Sequence, residues 1–470
     1  MRLLKKFLKI LVIVLSTIFL IVGIILVLAL KTVDRTPYYE TEYYNTTISN
    51  LEDARNSSVK LKGKLYAGFS SLNITPQINA EVEIPLNGQF KDVPMAGYGD
   101  RTSPAIGVHD SLFVKAVAIK VQNQMVVILS ADLLLIPPFV ADSVAFLLNK
   151  EIGLTREQLF FGATHTHSGI GASTPGIIGK KFSGEFNPGI ISYLSHKFKE
   201  AVLLAVEDLK PATISSTEIK LPELVRNRLS KENGRLNDVF TSLCFEQSNG
   251  KSAVVGTFAA HSTTLGEDNL EFSGDWPGYF QRKLENELSD VALYFAGTLG
   301  SHSHRGEGKD FDRAQHMGES LADKLISHSE SIKTDSVSFQ YFSIPFEIPE
   351  MQFRVRKNLY LTPFISHKLI PPSNNYYLQG MKLNNTIWIT CPFELSGEIA
   401  IDLKNALKLA GYNSIFTSFN GAYLGYITPS KYYYEESYES YLMGWYGPSM
   451  GDYATEMLFK ISNELTNKRL

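Results

Sequence analysis

Cysteine is nearly absent from this chain: Cys244 and Cys391 are the only two in 470 residues. A disulfide-stapled scaffold is therefore excluded, and so is a zinc site built on paired cysteines, which needs closely spaced pairs. Both residues lie in apolar, strand-like runs and read as buried thiols, with at most one bridge between them. An excess of one charge is also lacking. The 45 basic and 48 acidic residues nearly cancel, leaving no electrostatic footprint for nucleic acid. Internal repeats and low-complexity linkers are absent, and beyond residue 30 no apolar run is long enough to cross a bilayer.

The one long apolar run comes first. Lys5, Lys6 and Lys9 precede an uncharged stretch from Ile10 to Leu30, and Lys31 follows it. That length fits a membrane-spanning helix, and the basic flank predicts a cytoplasmic N-terminus with the rest of the chain on the far side. A cleaved signal peptide is the competing reading. It needs a shorter apolar core and a small-residue cleavage motif, whereas this run ends in Leu28-Ala29-Leu30-Lys31. The predicted organisation is a basic cytoplasmic segment (1–9), a signal-anchor helix (10–30), a polar tether (31–64) and a single catalytic domain (65–470).

Within the domain, short apolar runs alternate with segments whose apolar residues recur at three- and four-residue spacing. Strands are predicted at Lys115–Val121, Met125–Asp132, Leu159–Thr164, Thr213–Lys220, Val239–Glu246 and Ala253–Ala260. Further strands are predicted at Val291–Ala296, Ser336–Pro345, Tyr377–Leu383, Thr386–Cys391 and Ser414–Phe419. Helices are predicted at Ala141–Glu151, Ile191–Leu209, Trp276–Leu288, Arg313–Ser329, Gly397–Leu409 and Asp452–Leu465. The fold class is α/β with α+β character: large mixed sheets covered by helices.

Five of ten histidines fall in three segments with the same grammar, an apolar strand followed by histidine. They are Phe160-Phe161-Gly162-Ala163-Thr164-His165-Thr166-His167, Phe258-Ala259-Ala260-His261, and the run from Tyr294 to His302-Ser303-His304. Residues two apart on a strand face one side, so His165 and His167 can address one point. Histidines gathered at strand ends suit a metal, since neutral imidazole is a common zinc ligand. The alternative is that they merely cap strands. Glu394 stands where another strand turns into a helix, as a carboxylate ligand or as a cap favoured by the helix dipole. His109 is a candidate supporting group, and the tyrosines at 423, 426, 432–434, 438, 441 and 446 read mostly as packing aromatics.

Several of these segments together resemble the neutral/alkaline (non-lysosomal) ceramidase family. Ala67-Gly68-Phe69-Ser70-Ser71-Leu72-Asn73-Ile74-Thr75-Pro76 is similar to its first strand, and Met95-Ala96-Gly97-Tyr98-Gly99 to its Met-Gly-Tyr turn. Ser130-Ala131-Asp132 resembles a central strand end, and Thr164-His165-Thr166-His167-Ser168-Gly169 the most specific signature. Phe258-Ala259-Ala260-His261 resembles the segment with the second zinc histidine, Pro392-x-Glu394 the Pro-Gly-Glu, and Tyr446-Gly447-Pro448 the closing Tyr-Gly-Pro.

The resemblance implies a zinc-dependent amidase that cleaves the N-acyl bond of ceramide to a fatty acid and a sphingoid base; no nucleic-acid partner and no obligate protein partner is expected. It implies His165, His261, Glu394 and Tyr426 as zinc ligands. His167 and Tyr438 would face the substrate carbonyl, and Ser303 matches a serine proposed as catalytic. Arg228 would touch the polar head and Gly97 would lie against the substrate; His302, which has no counterpart in the family, is expected to lie against it too. Departures are present. The family's Asn-x-Gly-Asp-x-Ser-Pro-Asn loop is here Thr298-Leu299-Gly300-Ser301-His302-Ser303-His304-Arg305, and Arg228 is followed by Leu229 rather than serine. His302 and His304 would line the pocket, bind a second metal or be solvated. The chain ends soon after Tyr446-Gly447-Pro448, which leaves no length for the immunoglobulin-like domain usual in the family. Other readings are a zinc hydrolase of another lipid amide, ester or N-acyl amino acid, or an inactive membrane-anchored binding protein on the same scaffold.

Overall fold

Twelve strands hydrogen-bond into one branched sheet in the computed structural model, which describes residues 1–230, 233–328, 332–373 and 375–470. They are β1 (Leu61–Asn73), β2 (Phe113–Val121), β3 (Gln124–Ala131), β4 (Leu159–Ala163), β5 (Lys210–Lys220) and β6 (Val239–Gln247). The second half supplies β7 (Ser252–Phe258), β8 (Val291–Ala296), β9 (Ser336–Pro345), β10 (Tyr377–Leu383), β11 (Thr386–Thr390) and β12 (Asn413–Thr417). The main order is β8-β7-β6-β5-β1-β9-β10-β11-β12, and β2, β3 and β4 branch from β1. Most neighbours are antiparallel. Three pairs are parallel: β3 with β4, β7 with β8, and β11 with β12.

Period-two alternation decides where each side chain goes. In β2, Val117, Ile119 and Val121 join one core while Val114, Ala116 and Ala118 join another. In β8, Val291, Leu293 and Phe295 join the first core while Ala292 and Tyr294 turn the other way. That first core collects residues from all twelve strands, so the sheet's branches face one another. Helices cover the outer faces. The helices are α1 (Arg2–Ala29), α2 (Glu42–Ser57), α3 (Pro138–Ile152), α4 (Gly176–Ser183), α5 (Pro188–Glu207) and α6 (Asp275–Glu287). They continue with α7 (Asp310–Ile326), α8 (Pro363–Leu369), α9 (Gly397–Leu409) and α10 (Met450–Thr466). α3 and α5 pack on β2–β4, α6 and α7 on β6–β8, and α9 and α10 on β10–β12.

The mixed, helix-covered architecture matches the sequence reading. Strands Val291–Ala296, Ser336–Pro345 and Tyr377–Leu383 and helix Gly397–Leu409 coincide with their predicted bounds. The end proposed at Ser329 for the helix at 313–329 lies outside the described residues. Two features differ from expectation. The apolar helix α1 starts at Arg2, and none of its stretch Leu4–Ala29, a candidate membrane span or signal sequence, is buried. The segment expected as a tether is folded onto the body: α2 buries Thr47 and Leu51, and Tyr38, Tyr43 and Tyr44 gather around Tyr453 of α10. The polar composition of α2 hides this, because only one narrow stripe of it is buried. Cys391 is a fully buried thiol, and no disulfide joins it to Cys244.

Candidate active site

The three parallel pairs aim their carboxyl ends at one place, as open α/β sheets do around ligands. Beyond β4 comes His165, beyond β7 His261, beyond β11 Glu394, and beyond β12 Phe419 and Tyr423. Backbone bonds stitch these ends together: Thr164 N–H to Ala131 C=O, Gly297 N–H to Phe258 C=O and Ser418 N–H to Ala296 C=O. The Ser262 hydroxyl also donates to Thr164 C=O at 2.7 Å.

His165 adopts φ 61°, a left-handed conformation that costs a non-glycine residue roughly 1–3 kcal/mol and persists only where the surroundings over-determine it. Two contacts do so. Its Nδ1 lies 2.6 Å from the Leu134 carbonyl, and its ring stacks on Phe419 at 4.5 Å. A carbonyl can only accept, so Nδ1 carries the proton and Nε2 presents a lone pair. That Nε2 stands 2.9 Å from His261 Nε2, 3.3 Å from His167 Nε2 and 3.8 Å from Glu394 Oε2. Burial pushes His165 down to about 3, and His167 and His261 lie well below the ordinary histidine range for the same reason. All three imidazoles are neutral at physiological pH.

Glu394 is buried, and burial raises its carboxyl to about 7 although Tyr423 donates to Oε1 at 2.6 Å. Its other oxygen, Oε2, has no hydrogen-bond partner among the described residues. Buried polar atoms without partners are costly and call for an explanation. A divalent cation supplies one. Three imidazoles whose ligand atoms lie within 4.8 Å of one another, beside a free carboxylate oxygen, form a donor set suited to zinc.

Tyr426 sits opposite Glu394 in a short parallel pairing of Glu394–Leu395 with Tyr426–Ile427. Its hydroxyl accepts from Arg228 Nη2 at 3.1 Å. Arg228 is held in turn by Glu439, with Nε 2.8 Å from Oε1. Tyr438 lies edge-on to Tyr426 at 5.8 Å, and burial with the Glu394 charge pushes its hydroxyl up to about 12. Gly97 has φ 121°, and a Cβ there would stand 2.6 Å from His167 Nδ1, so only glycine lets the turn pass the imidazole. Arg101 braces the same residue, donating to the His167 carbonyl at 2.7 Å.

Most of these groups line one part of a cavity of about 740 Å³. His165, His167, Gly97, Glu394, Tyr423, Tyr426 and Tyr438 line it, and its walls are largely apolar: Leu133, Leu135, Ile170, Ile178, Phe182, Phe346, Met351 and Trp445. Arg228, His261 and the 302–304 loop stand outside the lining. His302 is fully buried: its Nε2 accepts from Asn237 N–H at 2.9 Å, and its Nδ1 meets Ser301 Oγ at 2.8 Å. Ser303 and His304 are buried on the short strand His302–His304, paired with Val225–Asn227, and His304 Nε2 donates to Thr263 C=O at 3.2 Å. His109 stacks on Phe311 at 3.6 Å and bonds Tyr279, away from the cavity.

Sequence reasoning missed three participants. Tyr423, grouped with packing aromatics, is the donor to Glu394; its signal was its place just beyond a strand end, the rule that found the histidines. The Leu134 carbonyl and Glu439 act through backbone geometry and charge pairing, which no motif carries.

Residues 84–299 match the family model described as neutral/alkaline non-lysosomal ceramidase, N-terminal. The fold is similar to the crystal structure of neutral ceramidase from Pseudomonas aeruginosa, at 17% identity and a TM-score of 0.71, covering 87% of this chain and 75% of that one. It is also similar to a ceramidase complexed with C2, at 17% identity and a TM-score of 0.68, covering 86% and 75%.

Proposed function

We propose that this chain, a neutral ceramidase-like hydrolase, cleaves the N-acyl amide bond of ceramide or a ceramide-like lipid, releasing a fatty acid and a sphingoid base. The observation that carries this reading is the convergence of three neutral imidazoles and an unpartnered carboxylate oxygen beside a largely apolar cavity. His165, His261, Glu394 and Tyr426 would hold zinc, with His167 left to face the substrate. A zinc ion there supplies Lewis acidity to the amide carbonyl and makes water nucleophilic near neutral pH.

The protein's own groups do the rest. The apolar walls receive the acyl chain and exclude water from the reacting amide. Tyr438 keeps its proton at neutral pH and donates it as a hydrogen bond where negative charge develops on the carbonyl oxygen. His167, neutral and held by Gly97 and Arg101, accepts the proton lost by the attacking water and passes it to the departing amine. Arg228, fixed by Glu439 and Tyr426, orients the polar head. Ser303 stands opposite Arg226 in the antiparallel pairing of His302–His304 with Val225–Asn227 and is proposed to act beside Arg228. His302 is proposed as support beneath the loop.

A substrate panel tests the reading on the detergent-solubilised chain. Each buried methylene is worth about 0.8 kcal/mol, so a long acyl chain seated in this cavity favours kcat/KM over a two-carbon amide by more than about a hundredfold. Ceramide should also exceed lipid esters and N-acyl amino acids. Equal rates on long and short amides, or preference for an acyl-amino acid, would contradict the assignment.

A further inference from the structure

The apolar helix α1 does not end in a free tether. The Ala29 carbonyl accepts from Thr362 N–H at 2.8 Å, and the Leu28 carbonyl accepts from the Thr362 hydroxyl at 3.1 Å. Leu30, Lys31 and Thr32 then pair antiparallel with Leu361, Tyr360 and Leu359. The clamp continues beyond the strand: Val33 N–H donates to Asn358 C=O, Asp34 N–H to the Gln352 side chain and Arg35 Nη2 to Asn358 Oδ1. Val33, Tyr360 and Tyr433 form a small apolar cluster under it.

Thr362 is also the residue that starts α8, and α8 runs directly to the cavity wall at His367, Ile370 and Pro371. Five residues of helix span about 8 Å, so the cavity wall begins within the depth of one headgroup layer, roughly 5–8 Å, of the end of the apolar helix. The neighbouring surface is apolar where a soluble face would be polar. Phe364 on α8 is 72% exposed, Ile177 on α4 59% and Phe139 at the start of α3 48%. α4 abuts α8 where Gly176 lies against Leu369 and Pro371, and Phe139, Ile178 and His367 line the cavity, so Phe364 and Ile177 stand on the surface beside its wall.

We propose that α1 and the strand Leu30–Thr32 lock the catalytic body onto the bilayer that holds α1, with Phe364 and Ile177 sunk in its interface. The cavity then takes its lipid amide from that same bilayer and not from a second membrane. The occupant of this apolar face is the lipid surface because α1 is continuous with it through hydrogen-bonded backbone. This rests on the lipid-amide reading for its substrate, but the position of the face does not.

The test uses the full chain reconstituted in phosphatidylcholine vesicles. One population holds enzyme and a fluorescent long-chain ceramide, and a second holds a differently coloured ceramide without enzyme. The expected result is cleavage at least tenfold faster in the enzyme's own vesicles. Inserting eight Gly/Ser residues between Ala29 and Leu30 should reduce that preference below threefold. Phe364→Asp and Ile177→Asp should cut bilayer turnover at least tenfold yet leave a micellar short-chain lipid amide within twofold. Independently of turnover, Phe364→Trp should add fluorescence that lipids brominated near the headgroup quench by at least half. Absence of that quenching overturns the proposal even if the enzyme cleaves nothing. With active enzyme, equal rates on both populations, or equal loss on both substrates in the aspartate variants, overturns it as well.

Discussion

The Nε2 atoms of His165 and His261 stand 2.9 Å apart although 96 residues separate them in the chain. A zinc ion would be held by both nitrogens, since neutral imidazole is among its preferred ligands. His167 Nε2 stands 3.3 Å from the same His165 nitrogen, within reach of a substrate held beside it. Because His165 gives its Nδ1 proton to Leu134, its lone pair is committed to this point.

Removing His165 and removing His167 should therefore differ. His165→Ala should lose bound zinc by elemental analysis and with it all turnover. His167→Ala should keep about one zinc per chain and lose kcat by about 10²–10⁴-fold, the usual contribution of a positioned proton carrier. Equal metal loss in both would make His167 a ligand instead.

Tyr423→Phe removes the donor to Glu394 Oε1 at 2.6 Å without altering the ring stacked near Phe419. Groups that orient ligands are typically worth about 10–100-fold in metal affinity. Chelator competition should show a loss in that range, while the thermal midpoint of the zinc-loaded protein moves little.

The strand-end histidines are legible in the sequence because an apolar run halted by a polar residue marks where a buried strand meets an opening. Glu394 obeys the same rule, and so does Tyr423, whose role was lost among the other tyrosines. The reach of His302 was not legible. Two histidines in a loop look available, but the helix start at Gly397 presses on the His302 ring and Asn237 takes its lone pair, contacts that only the tertiary fold brings together. α2 was missed for the opposite reason. Its buried stripe is too narrow to lift a polar segment above the pattern of a linker.

Leu51→Ala tests that folded segment. Leu51 is buried against the core under α9 and α10, and truncating a buried leucine costs about 2–5 kcal/mol. Thermal unfolding of the variant should show a clear drop in midpoint. A segment behaving as a free tether would show none.

Asp275 gives stability a pH signature. It is fully buried at the start of α6, next to Trp276, whose indole N–H donates to the His261 carbonyl at 3.2 Å. Burial raises its carboxyl from 3.8 to about 6, although Thr264, Leu265 and Trp276 all donate to it. The folded state then holds this proton more tightly than the unfolded state. Its contribution is fully present below pH 3.8 and is lost as pH rises through about 6. Urea midpoints of the wild type should fall relative to Asp275→Asn between pH 4 and 6.5, and parallel profiles would refute the sign.

The most direct measurement takes metal content and ceramide turnover from the same preparation. One zinc per chain, cleavage abolished by a chelator and restored by added zinc is the expected result. Undiminished ceramide cleavage by a chain stripped of metal would contradict the proposed chemistry at its centre.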